Sequence, residues 1–271
     1  MHKWTPVLLL LASVGVAGQN AADTAALVES VGQYARDYPR RLAGIIGEEH
    51  QLQRLIKADG TTSKERRLVS DVAVITVGDR LAFFRDVAVV DGKPVRNREA
   101  RLRRLFLGES RDVAAQLRRI FDESRRHDLK FMHWSTALLL PLVVAKPENH
   151  GRFRFMTTDD GLSFEEVSSP TLSRAGQRDR LADMPLRGRL VIERATGTIR
   201  AGTFTAANQT MAASVEVRYV DTAFGVLVPA DLREQYQQPD KPNGEHMEIT
   251  SEYSNFRRFE VKVDTNIDLP Q

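Results

Sequence analysis

The feature that most constrains this chain is a succession of short apolar runs that alternate like strands and are joined by tight turn signals. In "RRLVSDVAVITVGDRLAFFRDVAVVDGKPV" two such runs meet at Gly78-Asp79, and the second ends at "DGKP", the pattern of a hairpin followed by a turn. Val72, Val74 and Thr76 share one face of the first run; Ala73, Ile75 and Val77 share the other. After Asn149-His150-Gly151, "RFRFMTT" sets Phe153, Phe155 and Thr157 against Arg152, Arg154 and Met156, with "LSFEEVSS" as its partner across Asp159-Asp160-Gly161. "GRLVIERATGTIRAGTFTA" folds back at Ala195-Thr196-Gly197, and "SVEVRYV" supplies the next strand. "AFGVLVPADLREQY" predicts a short strand ended by Pro229 and one helical turn. The polar, irregular residues 171–187 predict a loop, and "MEITSEYSNFRRFEVKV" predicts a final strand or pair.

Helical periodicity occupies two other regions. Leu27, Val31, Tyr34 and Tyr38 follow steps of three and four; Asp23 or Thr24 caps this helix and Pro39 ends it. In "RLAGIIGEEHQLQRLIK", Ile46, Glu48, His50 and Leu52 alternate poorly and two glycines weaken a helix, so its second half leans towards a strand. "NREARLRRLFLG" repeats Leu102, Leu105 and Phe106 and stops at Gly108, and Val113, Leu117, Ile120 and Phe121 stripe the next helix. "STALLLPLVVA" is apolar all round and predicts a buried piece that Pro141 kinks or ends. Helix, hairpin-linked strands, helices, strands: that order predicts one α+β domain over residues 19–271.

Residues 1–18 are read separately. "MHKWTPVLLLLASVGVAG" has a basic start, an apolar run and small residues after it, the pattern of a secretory signal peptide, with cleavage expected after Gly18. The run is shorter than the roughly 20 residues a membrane span needs; an uncleaved anchor or a buried helix is the alternative. No later run is long and charge-free enough to span. The expected product is soluble and periplasmic or secreted. With no cysteine in the chain, disulfides, thiolate metal sites and cysteine nucleophiles are excluded, and burial alone must hold the fold. The balance of 39 Lys+Arg against 36 Asp+Glu, without a lysine-rich tract, argues against a nucleic-acid partner. The paired arginines, such as Arg125-Arg126, read as solvated faces and ion pairs.

Reactive constellations are sparse. Glu123 and His127 stand four apart on a helix with His133 nearby, but a third metal ligand has no defined spacing; a surface ion pair is the plainer reading. Glu48 and His50 share a strand face without other support for catalysis. The six histidines lack HExxH, and there is no G-x-S-x-G, Ser-x-x-Lys, P-loop or G-x-G-x-x-G. Asp159-Asp160 and Glu165-Glu166 are neighbours on strands and face opposite ways. No catalytic residue, metal ligand or cofactor is assigned.

The strand-turn-strand "LRGRLVIERATGTIRAGTF" resembles that of the periplasmic lipoprotein carriers LolA and LolB, and the element order is similar to theirs and to that of the mycobacterial-type lipid-binding lipoproteins. The resemblance implies a strongly curved antiparallel sheet, an incomplete barrel, with helices covering its concave side. "FRDVAVVDGKPVRNREARLRRLF", "IFDESRRHD", "GVLVPADLREQY" and "YSNFRRFEV" look like segments of a group of exported bacterial proteins without an assigned reaction. On such a sheet a β-bulge near Asn255-Phe256 would return Phe256 and Phe259, three apart, to one face and bend the last strand. The expected ligand-binding residues are Phe83, Phe153, Phe155, Phe204, Tyr219, Phe256 and Phe259 lining an apolar cavity, with Arg257 and Arg258 at its rim. The expected ligand is a lipid or lipoprotein acyl chain; burying 16 carbons at roughly 0.8 kcal/mol each gives on the order of 12 kcal/mol before binding costs. The alternatives are an envelope interaction module with a filled core and a protein partner, and a hydrolase of unspecified class.

Overall fold

The structure is a computed structural model and describes residues 12–77, 80–96, 98, 113–129, 134, 137–177, 180–239 and 244–258. Helix α1 (Ala12–Leu42) precedes strands β1 (Ile45–Ile56), β2 (Thr62–Val77), β3 (Arg80–Val90) and β4 (Lys93–Pro94). Helix α2 (Val113–Arg125), a 3₁₀ turn (Ala137–Leu139), helix α3 (Leu140–Ala145) and a 3₁₀ segment (Pro147–Arg152) follow. Then come β5 (Phe153–Thr158), β6 (Gly161–Glu166), β7 (Arg174–Gln177), β8 (Arg180–Asp183), β9 (Arg187–Glu193), β10 (Thr198–Ala207), β11 (Ala212–Asp221), β12 (Leu227–Gln237) and β13 (His246–Arg258).

Eleven strands form one open sheet in the order β4-β3-β2-β1-β13-β12-β11-β10-β9-β6-β5, and β7 and β8 form a separate pair. Every ladder between these strands is antiparallel. Register shifts interrupt five of them, and each extra residue bends and twists its strand. Helix α1 touches β2 on one side of the strand order and β5, β6 and β10 on the other, which requires the sheet to curve. Leu27, Val31, Ala35, Tyr38 and Leu42 form the buried stripe of α1, at the helical spacing the sequence carries.

Several expectations are corrected. Pro39 lies inside α1, which runs on to Leu42; burial of Tyr38 and Leu42, and the hydrogen bond from the Tyr38 hydroxyl to the Leu227 carbonyl (2.9 Å), hold the last turn in place. Pro141 neither kinks nor ends its helix but stands in the first turn of α3, where a missing N–H costs nothing. Residues 171–187 contain the β7–β8 hairpin. The stretch around Pro229 is one eleven-residue strand, because Arg218 pairs with Asp231 and Tyr219 with Pro229; the bulge at Ala230 accommodates a residue that has no N–H to give. Val72, Ala73 and Val74 are all buried, so both faces of β2 are covered there. The expected helix at residues 97–108 lies outside the described residues, apart from Arg98.

The bulge in the last strand is present. Ile46 pairs with Arg257 and Glu48 with Ser254, so Gly47 faces both Asn255 and Phe256. Asn255 takes the left-handed conformation (φ 52°), which asparagine tolerates best among residues with a side chain. The Phe256 ring lies against Gly47, where an added Cβ would fall 2.4 Å from the ring. Phe259 lies outside the described residues.

Candidate binding site

The inner face of the sheet divides into an apolar part and a polar part. Over β5, β6 and β10 an aromatic cluster runs from Phe155 through Phe153 and Phe164 to Phe204, with centroids 5.5 to 5.9 Å apart. Phe153, Phe164 and Phe204 are buried and Phe155 is half-buried. Tyr219 is buried between Tyr38 and the Leu138 carbonyl, to which it donates at 2.7 Å. These aromatics are packed together.

The polar part was not legible as such. Strand β1 turns Ile45, Gly47, Glu49, Gln51, Gln53 and Leu55 inward, the set opposite to Ile46, Glu48, His50 and Leu52. Glu48 and His50 do share a face, the outer one, with a 2.6 Å contact between their side chains. The inner set meets β3 across the sheet. Arg85 donates from Nε to Glu49 (2.6 Å) and from Nη2 to Gln51 (3.0 Å), and its Nη1 is 3.6 Å from Asp128. Tyr253 donates to the other Glu49 oxygen at 3.0 Å. Gln53 donates to Gln51 and to Asp128 and accepts from the Leu129 amide. On β12, Glu234 accepts from Tyr236, whose hydroxyl accepts from the Trp134 amide at 2.9 Å. All of Glu49, Gln51, Gln53, Arg85 and Glu234 are buried.

This network encloses a cavity of about 30 Å³, lined by Glu49, Arg85, Glu234 and Tyr253 on one side and by Phe83, Phe121, Trp134 and Leu138 on the other. Burial opposes the charge on Arg85, but Glu49 and Asp128 outweigh it and push its pKa above the usual arginine value. Burial, with Glu49 and Asp128 adding to it against Tyr236 and Arg85, lifts Glu234 to about 8. Burial first, and the neighbouring carboxylates after it, raise Tyr236 and Tyr253 as well.

A second opening is larger. Between α1 and β5 lies a groove of about 740 Å³, walled by Ala21, Ala25, Val28, Phe155 and Met156, with Thr24, Asp159 and Arg194 at its polar edge. Met156 is exposed, and Arg194 donates to the Thr158 carbonyl at 2.5 Å. Its volume falls within the range of small-molecule pockets, roughly 300–1,000 Å³.

The expected binding residues therefore separate. Phe155 lines the groove, Phe83 lines the polar cavity, and Phe153, Phe204 and Tyr219 fill the apolar part. Phe256 sits at Gly47 beside the end of β13, where Arg257 and Arg258 are exposed. Arg257 is 3.9 Å from Asp71, and Arg258 stands over the Phe224 ring at 6.0 Å. Elsewhere, Glu123 pairs with Arg126, and Glu165 and Glu166 point opposite ways, the first to Arg187 at the surface and the second into a buried set of amides. Among the described residues no helix is long and apolar enough to cross a membrane.

No family model matches the chain, and no curated protein does. Among solved structures it is similar to a DUF1329 family protein from Desulfovibrio piger (7% identity, covering 90% of this chain and 95% of that one, TM-score 0.36). It is similar as well to a LolA superfamily protein from Nitrosomonas europaea (11% identity, 88% and 95% covered, TM-score 0.33). A third is an S-type phycobiliprotein lyase from Guillardia theta (7% identity, 84% and 93% covered, TM-score 0.27). At these scores none of them bears on what the chain binds.

Proposed function

We propose that the protein is an exported, non-catalytic carrier that holds an apolar chain, a lipid or lipoprotein acyl group, on a curved sheet whose concave side α1 to α3 cover. The observation that carries this reading is the groove between α1 and β5, of pocket size, with Phe155 in its wall and Arg194 at its edge. Methyl and aromatic groups there favour a methylene chain through area removed from water, while a guanidinium at the edge suits an anionic headgroup. Residues 1–18 would be the leader; cleavage after Gly18 would leave Gln19 two residues from Ala21 in the groove wall.

The test is mass spectrometry of an organic extract of the protein, expressed with its leader and purified without detergent, beside the Phe155→Asp variant. A stoichiometric lipid in the parent, lost from the variant while the melting temperature holds, is the expected result. An empty extract with no uptake of a fluorescent fatty acid would refute it. That outcome would favour the second reading, an envelope interaction module with a filled core, which the packed cluster of Phe153, Phe164 and Phe204 supports.

A further inference from the structure

Two strands end the large sheet, and they are finished differently. At one end β4 is two residues long, Lys93 and Pro94; a short strand with a lysine and a proline is a poor template for further pairing. At the other end β5 is six residues long and has neither. The β5–β6 ladder fixes which way its backbone groups point. The Val167 amide donates to the Arg152 carbonyl at 2.8 Å, so Arg152 and Val167 form a hydrogen-bonded pair, and such pairs alternate with non-bonded ones along an antiparallel ladder. By the register, Arg154 and Met156 therefore turn their amides and carbonyls towards β6, while Phe153, Phe155 and Thr157 turn theirs away. In keeping with this, the amide of Glu166, opposite Phe153, donates to the Leu186 carbonyl and not to β5. Among the described residues the Phe153 amide bonds to the His150 carbonyl. That leaves the amides of Phe155 and Thr157 and the carbonyls of Phe153, Phe155 and Thr157 without a partner among the described residues.

The groove runs along this edge. Consecutive residues from Phe155 to Asp159 line it, and consecutive residues of a strand point to opposite faces, so all of them can meet one opening only at the side of the strand. Ala21, Ala25 and Val28 of α1 wall its inner flank, where the Thr24 and Thr157 hydroxyls are 2.6 Å apart. On the outer face of β5, Met156 and Arg154 are exposed, and Glu165, the carboxylate beside Arg154, is shared with Arg187.

We propose that the free edge of β5 takes an extended polypeptide segment of a partner protein as one more antiparallel strand. Partner residues opposite Phe155 and Thr157 would exchange two hydrogen bonds each with them, and one opposite Phe153 would donate to its carbonyl, which satisfies every group left open. Main-chain bonds of this kind give a docked strand its affinity, and its alternate side chains give the specificity. The side chains beside Phe155 and Thr157 face the small residues of α1 and are apolar; the one beside Arg154 is acidic. The inference goes beyond the acyl reading of the groove, because a hydrocarbon chain has nothing to offer these amides and carbonyls.

The test uses the protein expressed with its leader and one peptide, acetylated and amidated, with the sequence GLSFEEV of residues 161–167. On the paired side of β5 that sequence sets Phe164 against Phe155 and Glu165 against Arg154. In the free protein the amides of Phe155 and Thr157 should exchange quickly and those of Arg154 and Met156 slowly; saturating peptide should slow the first two. Thr157→Pro removes an outward donor and no ladder bond, and should weaken peptide binding about tenfold. Thr157→Val loses only the hydroxyl contact with Thr24 and keeps the amide, so it should bind within about twofold of the parent. Amides of Phe155 and Thr157 already protected in the free protein, binding that Thr157→Pro leaves unchanged, or no saturation up to about 1 mM peptide overturns the proposal. A dimer that Thr157→Pro dissolves would put a second copy on the edge and overturns it as well. Should Thr157→Pro not fold, the exchange of Phe155 and Thr157 with and without peptide in the parent decides. Lipid uptake enters none of these measurements, so the acyl reading and this one can fail separately.

Discussion

Replacing Arg85 by methionine tests whether the inner face of β1 is held by charge. The guanidinium is 10% exposed and its partner Glu49 is 4% exposed, so little water can take over when it goes. Removing one partner of a buried pair leaves the other charge uncompensated, at about 3–5 kcal/mol. Here Glu49 would keep the Tyr253 donor but lose its cation, and Gln51 would lose the Nη2 donor. In urea, where stability falls by about 1–3 kcal/mol per molar denaturant for small proteins and more for larger ones, the midpoint should drop by about 1–3 M. The double variant Glu49→Gln, Arg85→Met should recover much of that loss, since it leaves no unpaired carboxylate at this position. Urea titrations of the parent, both single variants and the double variant close the cycle. A loss below about 1 kcal/mol for Arg85→Met, the value of a surface pair, would refute the reasoning, and so would a double variant as unstable as the sum of the singles.

Two other perturbations follow from the same geometry. Gly188→Ala would put a Cβ 1.9 Å from the Thr203 carbonyl oxygen and 2.8 Å from the Phe164 ring, so β9 must shift away from β10; a loss of about 1–3 kcal/mol is expected, and an unchanged thermal melt would contradict it. The second concerns pH. Glu234 holds its proton to about pH 8 in the native state, against an ordinary value of 4.5, so between these the native state binds the proton that the unfolded chain has released. Its contribution therefore makes stability fall as pH rises from about 4.5 to about 8 and levels off above. Urea midpoints of the parent and of Glu234→Gln across that range should converge in acid and diverge in base, the variant being the more stable at the alkaline end.

Most strands could be read from alternation because their buried residues are apolar on one face, as in Val215, Val217 and Tyr219 of β11. The bulge at Asn255-Phe256 could be read for the same reason: two aromatics three apart break a two-residue rhythm that the rest of the strand keeps. The polar site could not. Glu49, Gln51 and Gln53 alternate as regularly as any apolar trio, but alternation alone does not say which face is inside, and hydropathy points the wrong way when the buried face is charged. Arg85 sits in a run of valines and aromatics, where only its partners on β1 and after α2, 36 and 43 positions away by residue number, explain its burial. Glu234 and Tyr236 lie in a stretch that Pro229 marked as the end of a short strand followed by a helical turn, because the bulge that admits Pro229 depends on the neighbouring strand. The groove at Phe155 was half visible: the phenylalanine could be found, but Ala21, Ala25 and Val28 come to it only through the packing of α1.

The place of β13 between β1 and β12 has a kinetic consequence. The last strand of the described chain joins two blocks, β4 to β1 on one side and β12 to β5 on the other, and Gln51 waits for Ser251, 200 residues later. Until that strand arrives, each block ends in a bare row of amides and carbonyls, on β1 and on β12, open to pairing with other chains. Closing so distant a contact is slow. A polypeptide emerging from its N-terminus therefore cannot join its two half-sheets until β13 has emerged. Its risk of aggregation is concentrated in that interval rather than in the finished fold.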